Sequence, residues 1–360
     1  MRPLIAHIDT AALAHNLGVV RTAAPQAKAM AVIKANGYGH GLLRVAKALR
    51  AADGFAVLSL EDAAQLRAQG LTHPIILLEG FFSADELPDI ARLRLRPVIH
   101  CVDQVDMLAK TRLDRSLDVL LKVDTGMHRL GVSCKRAPEV LQRLLGLSRV
   151  ARVMLMTHFA CADEPDIGVH AQLERFLAVQ SAVGQSADRL STTLANSAAL
   201  LRYPQTHGDW VRPGIMLYGV SPFAGQSGES LGLLPVMSLE SQIIGVQTVL
   251  RGEGLGYGFA FTAERDMRVG IVACGYADGY PRHAGTGTPV LVEQQLTRTL
   301  GRVSMDMLCV DLSTLPDAYI GSAVTLWGAG LPVEEVAAAA GTIAYELLTG
   351  IAPRVRIEEI

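Results

Sequence analysis

The stretch Ala31-Val-Ile-Lys34-Ala-Asn-Gly-Tyr38-Gly-His-Gly41 decides how this chain is read: an apolar, strand-like run ends on a lysine and opens at once into a glycine-rich turn. An amine at the end of a buried strand loses solvation, which favours its neutral form and makes it a nucleophile toward carbonyls. Gly37, Gly39 and Gly41 leave backbone amides open to an anion, and Tyr38 brings a hydroxyl beside them. A lysine turned to solvent before an ordinary turn would have the same local sequence, so the rest of the chain must choose.

Around this segment, short β-branched runs alternate with amphipathic helical stretches up to about residue 220. Strands are expected over 4–9, 30–34, 55–59, 75–79, 97–101, 117–124, 153–158, 192–196 and 210–212. Between them lie helical patterns such as Glu61-Asp-Ala-Ala-Gln-Leu-Arg-Ala-Gln69 and His170-Ala-Gln-Leu-Glu-Arg-Phe-Leu-Ala-Val179. Repeated strand-helix alternation implies a parallel sheet, here an α/β fold with a closed eight-stranded (β/α) barrel. Nine candidate strands are one too many, which puts the first outside the barrel.

After Tyr218 the texture changes. Ser221-Pro-Phe-Ala-Gly-Gln-Ser-Gly-Glu-Ser230 is a turn-rich connection without periodicity, suited to a domain boundary. Strand-like runs follow over 238–250, 267–274, 289–293, 307–312 and 323–327, with helical pieces near 333–340 and 343–349. The expected organisation is a barrel over 1–225 and a mainly antiparallel β domain over 226–360.

A chain of 360 residues is long for one core, which agrees with two domains. Half the residues are hydrophobic, and 33 basic against 35 acidic residues argue against an electrostatic partnership with nucleic acid or a membrane. The start shows no apolar segment with a small-residue cleavage site and no run is long enough to span a bilayer, so a cytoplasmic protein is expected. Five scattered cysteines (Cys101, Cys134, Cys161, Cys274 and Cys309) are expected to be reduced core residues, and no metal site is suggested.

In such a barrel, chemistry occurs at the C-terminal ends of the strands. The unusual residues fall there: Lys34, Lys122-Val-Asp-Thr-Gly-Met-His-Arg129-Leu-Gly131, Thr157-His158-Phe, Asn196-Ser197 and Arg212-Pro-Gly214-Ile215. With the first strand set aside, Ser197 and Gly214-Ile215 follow the seventh and eighth barrel strands, the usual phosphate position of the fold. A phosphate site and a reactive lysine in one barrel mouth suggest pyridoxal phosphate. A Schiff-base lysine acting on sugar phosphates would give part of the same signature.

Nearly the whole chain resembles bacterial alanine racemases. The resemblance rests on the lysine segment, the Lys122–Arg129 segment, Met156-Thr-His158-Phe, Asn196-Ser197, Arg212-Pro-Gly-Ile215, Gly256-Tyr257-Gly, Gly275-Tyr276-Ala-Asp-Gly279, Gly301-Arg-Val-Ser-Met305-Asp306 and Thr342-Ile-Ala-Tyr345-Glu. It implies a homodimer in which the β domain of one subunit covers the barrel mouth of the other. It also implies interconversion of L-alanine and D-alanine, supplying D-alanine for peptidoglycan or feeding alanine catabolism. By the same resemblance, Lys34 holds the cofactor. Tyr38, Ser197, Gly214, Ile215 and Tyr345 contact the phosphate, Arg212 partners the pyridine nitrogen, and His158 lies beside the ring. Arg129 contacts the phenolic oxygen, while Tyr257, Met305 and the entrance residue Tyr276 come from the partner subunit. Arg129, Met305 and Tyr276 also form the substrate contacts. His128 and Leu255 stand where members of the family differ.

Racemisation requires proton exchange on both faces of Cα, because one base alone would return the proton where it was taken. The resemblance assigns Lys34 to D-alanine and Tyr257 to L-alanine. A free tyrosine has a pKa of about 10, so a tyrosine base at neutral pH needs hydrogen bonding and positive charge behind it. By the same resemblance, a chain from the tyrosine through His158 to Arg212 would supply both. Arginine keeps its proton, so Arg212 is expected to leave the pyridine nitrogen unprotonated and so to guard against transamination. The resemblance also marks Lys122 as a site of carbamylation, the resulting anion orienting Arg129. The alternative is an ammonium paired with an acidic neighbour such as Asp124. Two other functions fit parts of the pattern: a related decarboxylase or broader racemase of the same cofactor class, and a non-catalytic carrier of pyridoxal phosphate. Tyr257 and the Gly275–Gly279 segment argue against the decarboxylase, and the large β domain against the carrier.

Overall fold

A computed structural model describes residues 2–183 and 190–360. Strand β1 (Ile5–Ile8) is followed by a helix over Thr10–Ala23 and then by the barrel strands. These are β2 (Lys28–Val32), β3 (Gly54–Val57), β4 (Ile75–Leu77), β5 (Leu95–Ile99), β6 (Leu117–Asp124), β7 (Val150–Met156), β8 (Ser191–Thr193) and β9 (Trp210–Val211). Each pairs in parallel with the next, and β9 returns to β2, which closes the ring of eight. Their side chains are buried almost without interruption, as in β3, Gly-Phe-Ala-Val, and in the Val119-Leu-Leu-Lys-Val123 run of β6. Strands covered on both faces need this continuous apolar pattern rather than alternation.

As the count of nine required, β1 lies outside the ring. It pairs antiparallel with β10 (Met237–Val249) and parallel with β16 (Arg356–Glu359). The sheet that contains it also holds β11 (Met267–Val272), β12 (Pro289–Val292), β13 (Gln295–Leu300), β14 (Leu308–Asp311) and β15 (Ala323–Trp327), and β1–β16 is its parallel pair. Two of these strands escape sequence reading for physical reasons. β13, Gln-Leu-Thr-Arg-Thr-Leu, is half solvent-facing and polar, and β16, Arg-Ile-Glu-Glu, is charged at both ends.

The chain forms two compact units that do not follow it continuously. One comprises residues 1–16, 38–40 and 218–360, and the other residues 17–37 and 41–217. No helix among the described residues is long and apolar enough to cross a membrane.

Candidate active site

In the barrel unit, the polar residues stand just beyond the strand ends: Lys34 after β2, Glu79 after β4, His100 after β5, Lys122 and Asp124 closing β6, His158 after β7, Ser197 after β8 and Arg212 after β9. Hydrogen bonds Val32 N to Pro213 O (3.0 Å) and Ile33 N to Ala56 O (2.9 Å) extend the ladder to the lysine itself. Ala35, Asn36, Gly37 and Tyr38 then all take left-handed backbone angles, with φ of 52°, 53°, 62° and 52°. A left-handed turn of L-residues costs roughly 1–2 kcal/mol per residue. Asn36 offsets part of this, its side-chain oxygen accepting from Leu42 N at 2.9 Å. Such strain, held by surrounding structure, fixes the direction in which Lys34 leaves its strand.

Arg212 is the most constrained group of the mouth. It is 4% exposed. One terminal nitrogen donates to Thr193 Oγ1 (2.8 Å), and the other reaches Thr157 O (2.7 Å), Leu194 O (3.1 Å) and His158 Nδ1 (3.3 Å). Burial lowers its pKa to about 10, which still leaves it charged at neutral pH. A guanidinium only donates, so His158 Nδ1 is the acceptor and the neutral ring carries its proton on Nε2. Neutrality follows from the setting: burial, then the charges of Arg212, Arg129, Lys122 and Lys34, push the imidazole pKa well below its ordinary value.

The two lysines are shifted the same way. Burial, reinforced by Arg129, lowers the Lys34 pKa against the pull of Glu79. Burial, then Arg129 and Arg212, bring Lys122 down to about 8, against Asp124 and Glu79. Asp124 cannot neutralise Lys122 fully because its oxygens accept from Gly126 N, His128 N and His128 Nδ1, at 3.0, 3.0 and 2.9 Å. No ion pair to Lys122 occurs among the described residues, and the attraction of Asp124 offsets only part of the effect of burial on it. Four cationic side chains therefore share a mouth that holds few free carboxylates. The set is suited to anionic groups beside a nucleophilic amine, and a phosphorylated aldehyde cofactor meets that description. On the same unit Ser197, 5% exposed, accepts from Gly214 N at 2.9 Å, which joins the start of the helix Ser197–Arg202 to the Gly214-Ile215 turn. Asn196 caps that helix by accepting from Ala199 N (3.0 Å).

In the other unit, Tyr38 stacks on Tyr218 with centroids 4.5 Å apart and lies 6.1 Å from Tyr345. Burial, then Tyr345, raises its pKa, so the hydroxyl stays protonated and can donate. Gly39 has no room for a side chain there: a Cβ would sit 2.0 Å from Leu348 O. Tyr257 opens the short turn Tyr257–Phe259, flanked by Gly256 and Gly258 with φ of 70° and 68°. Tyr257 is 73% exposed, Met305 54% and Tyr276 37%, an unusual concentration of uncovered apolar side chains. In the same unit, a cavity of about 490 Å³ is lined by Ala260, Arg282, His283, Thr286, Gly301 and Arg302.

Both halves of the chain match one family. The alanine racemase N-terminal domain profile covers residues 8–222, and the alanine racemase C-terminal domain profile covers residues 236–358. The chain belongs to the alanine racemase family. It is 56% identical over 357 residues to an alanine racemase of Nitrosospira multiformis, covering 99% of each chain. It is 50% identical to the catabolic alanine racemase of Salmonella typhimurium, covering 98% of each. The crystal structure of the biosynthetic alanine racemase from Pseudomonas aeruginosa superposes with a TM-score of 0.96 at 48% identity over 100% of both chains.

For an alanine racemase, the structure brings Lys34, Lys122, Arg129, His158 and Arg212 into one electrostatic group, as their mutual influence on protonation records. Ser197, Gly214 and Ile215 lie at neighbouring strand ends of the same unit, whereas Tyr38, Tyr257, Tyr276, Met305 and Tyr345 belong to the other. Sequence reading missed Glu79 and His100. Gln104 ties them together, donating to Glu79 O (3.4 Å) and Phe81 O (3.0 Å) while its oxygen accepts from His100 N (2.8 Å). Their position two or fewer residues past a barrel strand was the available signal. It was obscured because the Ile75–Leu77 and Leu95–Ile99 strands end earlier than their apolar runs suggest.

Proposed function

We propose that this alanine racemase interconverts L-alanine and D-alanine by a two-base mechanism, with pyridoxal phosphate held at Lys34 and a mouth completed by a second copy of the chain. The observation that carries it is the half-buried Lys34 amine, its pKa lowered by burial and Arg129, in the same charged group as His158 and the immobilised Arg212. When bound, pyridoxal phosphate makes the Cα proton of an attached amino acid removable by spreading the resulting charge into its ring. Ser197, Gly214, Ile215, Tyr38 and Tyr345 would hold the phosphate, and Arg129 the phenolic oxygen and the substrate carboxylate.

Lys34 carries a proton to and from one face at Nζ, and burial with Arg129 lowers its pKa, in the direction that favours the neutral amine. The partner subunit's Tyr257 serves the opposite face through its hydroxyl. His158, protonated on Nε2 and backed by Arg212, is built to donate to a tyrosinate, which favours the charged form of that base. Arg212 keeps its own proton and so offers none to a ring nitrogen. Met305 and Tyr276 limit the side chain that fits beside them, which favours a small amino acid. The exposed Tyr257, Phe259 and Met305 surface supports the homodimer, and residues 226–360 are the part that would cover the partner's barrel. A cytoplasmic location is consistent with this substrate.

Purified protein supplied with pyridoxal phosphate should remove the optical rotation of L-alanine until equal amounts of both enantiomers are present. Bound cofactor with unchanged rotation would favour the carrier reading instead.

Lys122 carries a second part of the proposal. A neutral buried amine attacks carbon dioxide, and a carbamate would exchange one of four crowded cations for an anion facing Arg129. Because the folded-state pKa lies near 8, below the ordinary 10.5, the neutral amine gains population as pH rises through about 8. The same sign makes the native state relatively more stable as pH rises from about 8 toward 10.5, where the unfolded chain binds more protons. With ¹³C-bicarbonate, a protein-bound carbamate resonance should grow across this range in wild type and be missing in Lys122→Arg. Equal signals in the two would remove Lys122 as the site.

A further inference from the structure

We propose that Arg2, Arg354 and Asp278 form a positioning clamp that sets the Tyr276 and Met305 side chains, and through them the size of amino acid admitted. The inference rests on the reading above, in which those two residues face the substrate of the partner subunit.

Asp278 is 0% exposed and both its oxygens are fully engaged. Oδ1 accepts from Arg2 Nη1 and from Arg354 Nε (2.7 Å), and Oδ2 from Arg2 Nη2 (2.8 Å) and Gly275 N (2.9 Å). The same two guanidiniums reach across to a second loop. Arg2 Nη2 donates to Asp306 O and Arg354 Nη2 to Asp306 Oδ1, each at 2.6 Å. Two positive and two negative side chains thus balance around one buried carboxylate.

The two loops joined in this way carry the exposed residues. Tyr276 N donates to Ser304 O (3.1 Å) and Ala277 N to Met305 O (3.0 Å). At Gly275 the backbones are in contact, since a Cβ would lie 2.3 Å from Met305 O. Tyr276 and Met305 are 37% and 54% exposed, and their backbones are tied to each other across the two loops. Their spacing is therefore set by whatever fixes the loops, and the charged set fixes both. A buried ion network adds little net stability compared with apolar packing. Its distinctive contribution here is a defined loop geometry, because paired guanidinium forks accept only one arrangement of the carboxylates. One of the two forks comes from the second residue of the chain, 276 positions away from its partner.

Arg2→Ala removes one fork and leaves Arg354 paired with Asp278, so a lower melting temperature is expected from the partly uncompensated carboxylate, and the kinetics are read well below it. Relative to wild type, the KM for L-alanine should rise on the order of fivefold with kcat within about twofold. The kcat/KM for L-serine relative to L-alanine should rise about tenfold, within the range by which a pocket discriminates small groups. Arg2→Lys, which keeps charge but not the fork, should recover part of this. Arg268→Ala is the control: Arg268 ties carbonyls of Leu315 and Pro316 in the same unit, so its loss should lower the melting temperature without moving the serine ratio. A serine ratio unchanged in Arg2→Ala would overturn the specificity role. Hydrogen exchange reads the clamp without any substrate. The Tyr276 and Ala277 amides should exchange about tenfold faster in Arg2→Ala, and unchanged protection would overturn the clamp whatever the enzyme acts on. Absence of alanine racemisation in wild type would instead overturn the function proposed above.

Discussion

Lys34→Ala is expected to reduce racemisation in both directions by at least about four orders of magnitude, the scale seen when a group acting covalently is lost. Two losses combine in this one change. The amine that anchors the cofactor disappears, and so does the proton carrier of one face. No neighbour is placed to replace it. Lys122 lies on a different strand and is flanked by Arg129 and Arg212, and the left-handed turn from Ala35 to Tyr38 aims Lys34 alone out of β2. A small primary amine added to the buffer should restore a measurable part of the rate in Lys34→Ala, since it can enter the space left by the side chain. Restoration by amines but not by alcohols of the same size would tie the defect to the missing nitrogen rather than to a collapsed mouth. Activity of Lys34→Ala within about tenfold of wild type would contradict the whole assignment.

Tyr257→Phe should cost about 10²- to 10⁴-fold, the usual contribution of one positioned acid or base. The loss in kcat/KM must be the same from L-alanine and from D-alanine, because the two enantiomers have equal free energy and each direction uses both bases. The ring itself is conserved by the substitution, and with 73% of the residue exposed in the single chain no core packing is removed. The melting temperature should therefore stay close to that of wild type. A fall in one direction only would violate the equilibrium and point to an assay artefact, whereas no fall in either direction would remove Tyr257 from the chemistry.

The barrel was legible because strands buried on both faces must be apolar throughout, and the helices between them carry an ordinary 3.6-residue pattern. The sheet of the other unit was less so. β13 leaves its first four residues exposed or half-buried, most of them polar, and β16 is charged, so neither produces a run that stands out from a loop. The site followed a similar rule. Lys34, His158 and Arg212 announced themselves as polar residues interrupting apolar strand ends, while Glu79 and His100 did not because apolar residues continue past the ends of their strands. The Arg2–Asp278–Arg354 set was invisible at sequence level: its members are 276 and 76 positions apart, and nothing local marks an arginine as one that will close on a distant buried carboxylate. The left-handed turn after Lys34 was only partly visible. Gly37 and Gly39 signalled tight backbone and Asn36 tolerates it, but Ala35 and Tyr38 adopt positive φ against their own preference, and tertiary contacts such as the Tyr38–Tyr218 stack enforce it.

The two-base assignment is tested most directly by solvent deuterium entry at Cα, followed by NMR from L-alanine and from D-alanine separately, in wild type and Tyr257→Phe. Wild type should incorporate deuterium from both. Tyr257→Phe should lose exchange from L-alanine while retaining it from D-alanine, since Lys34 still serves that face and its ammonium protons equilibrate with solvent. Exchange from both enantiomers in Tyr257→Phe, or from neither in wild type, would contradict the account.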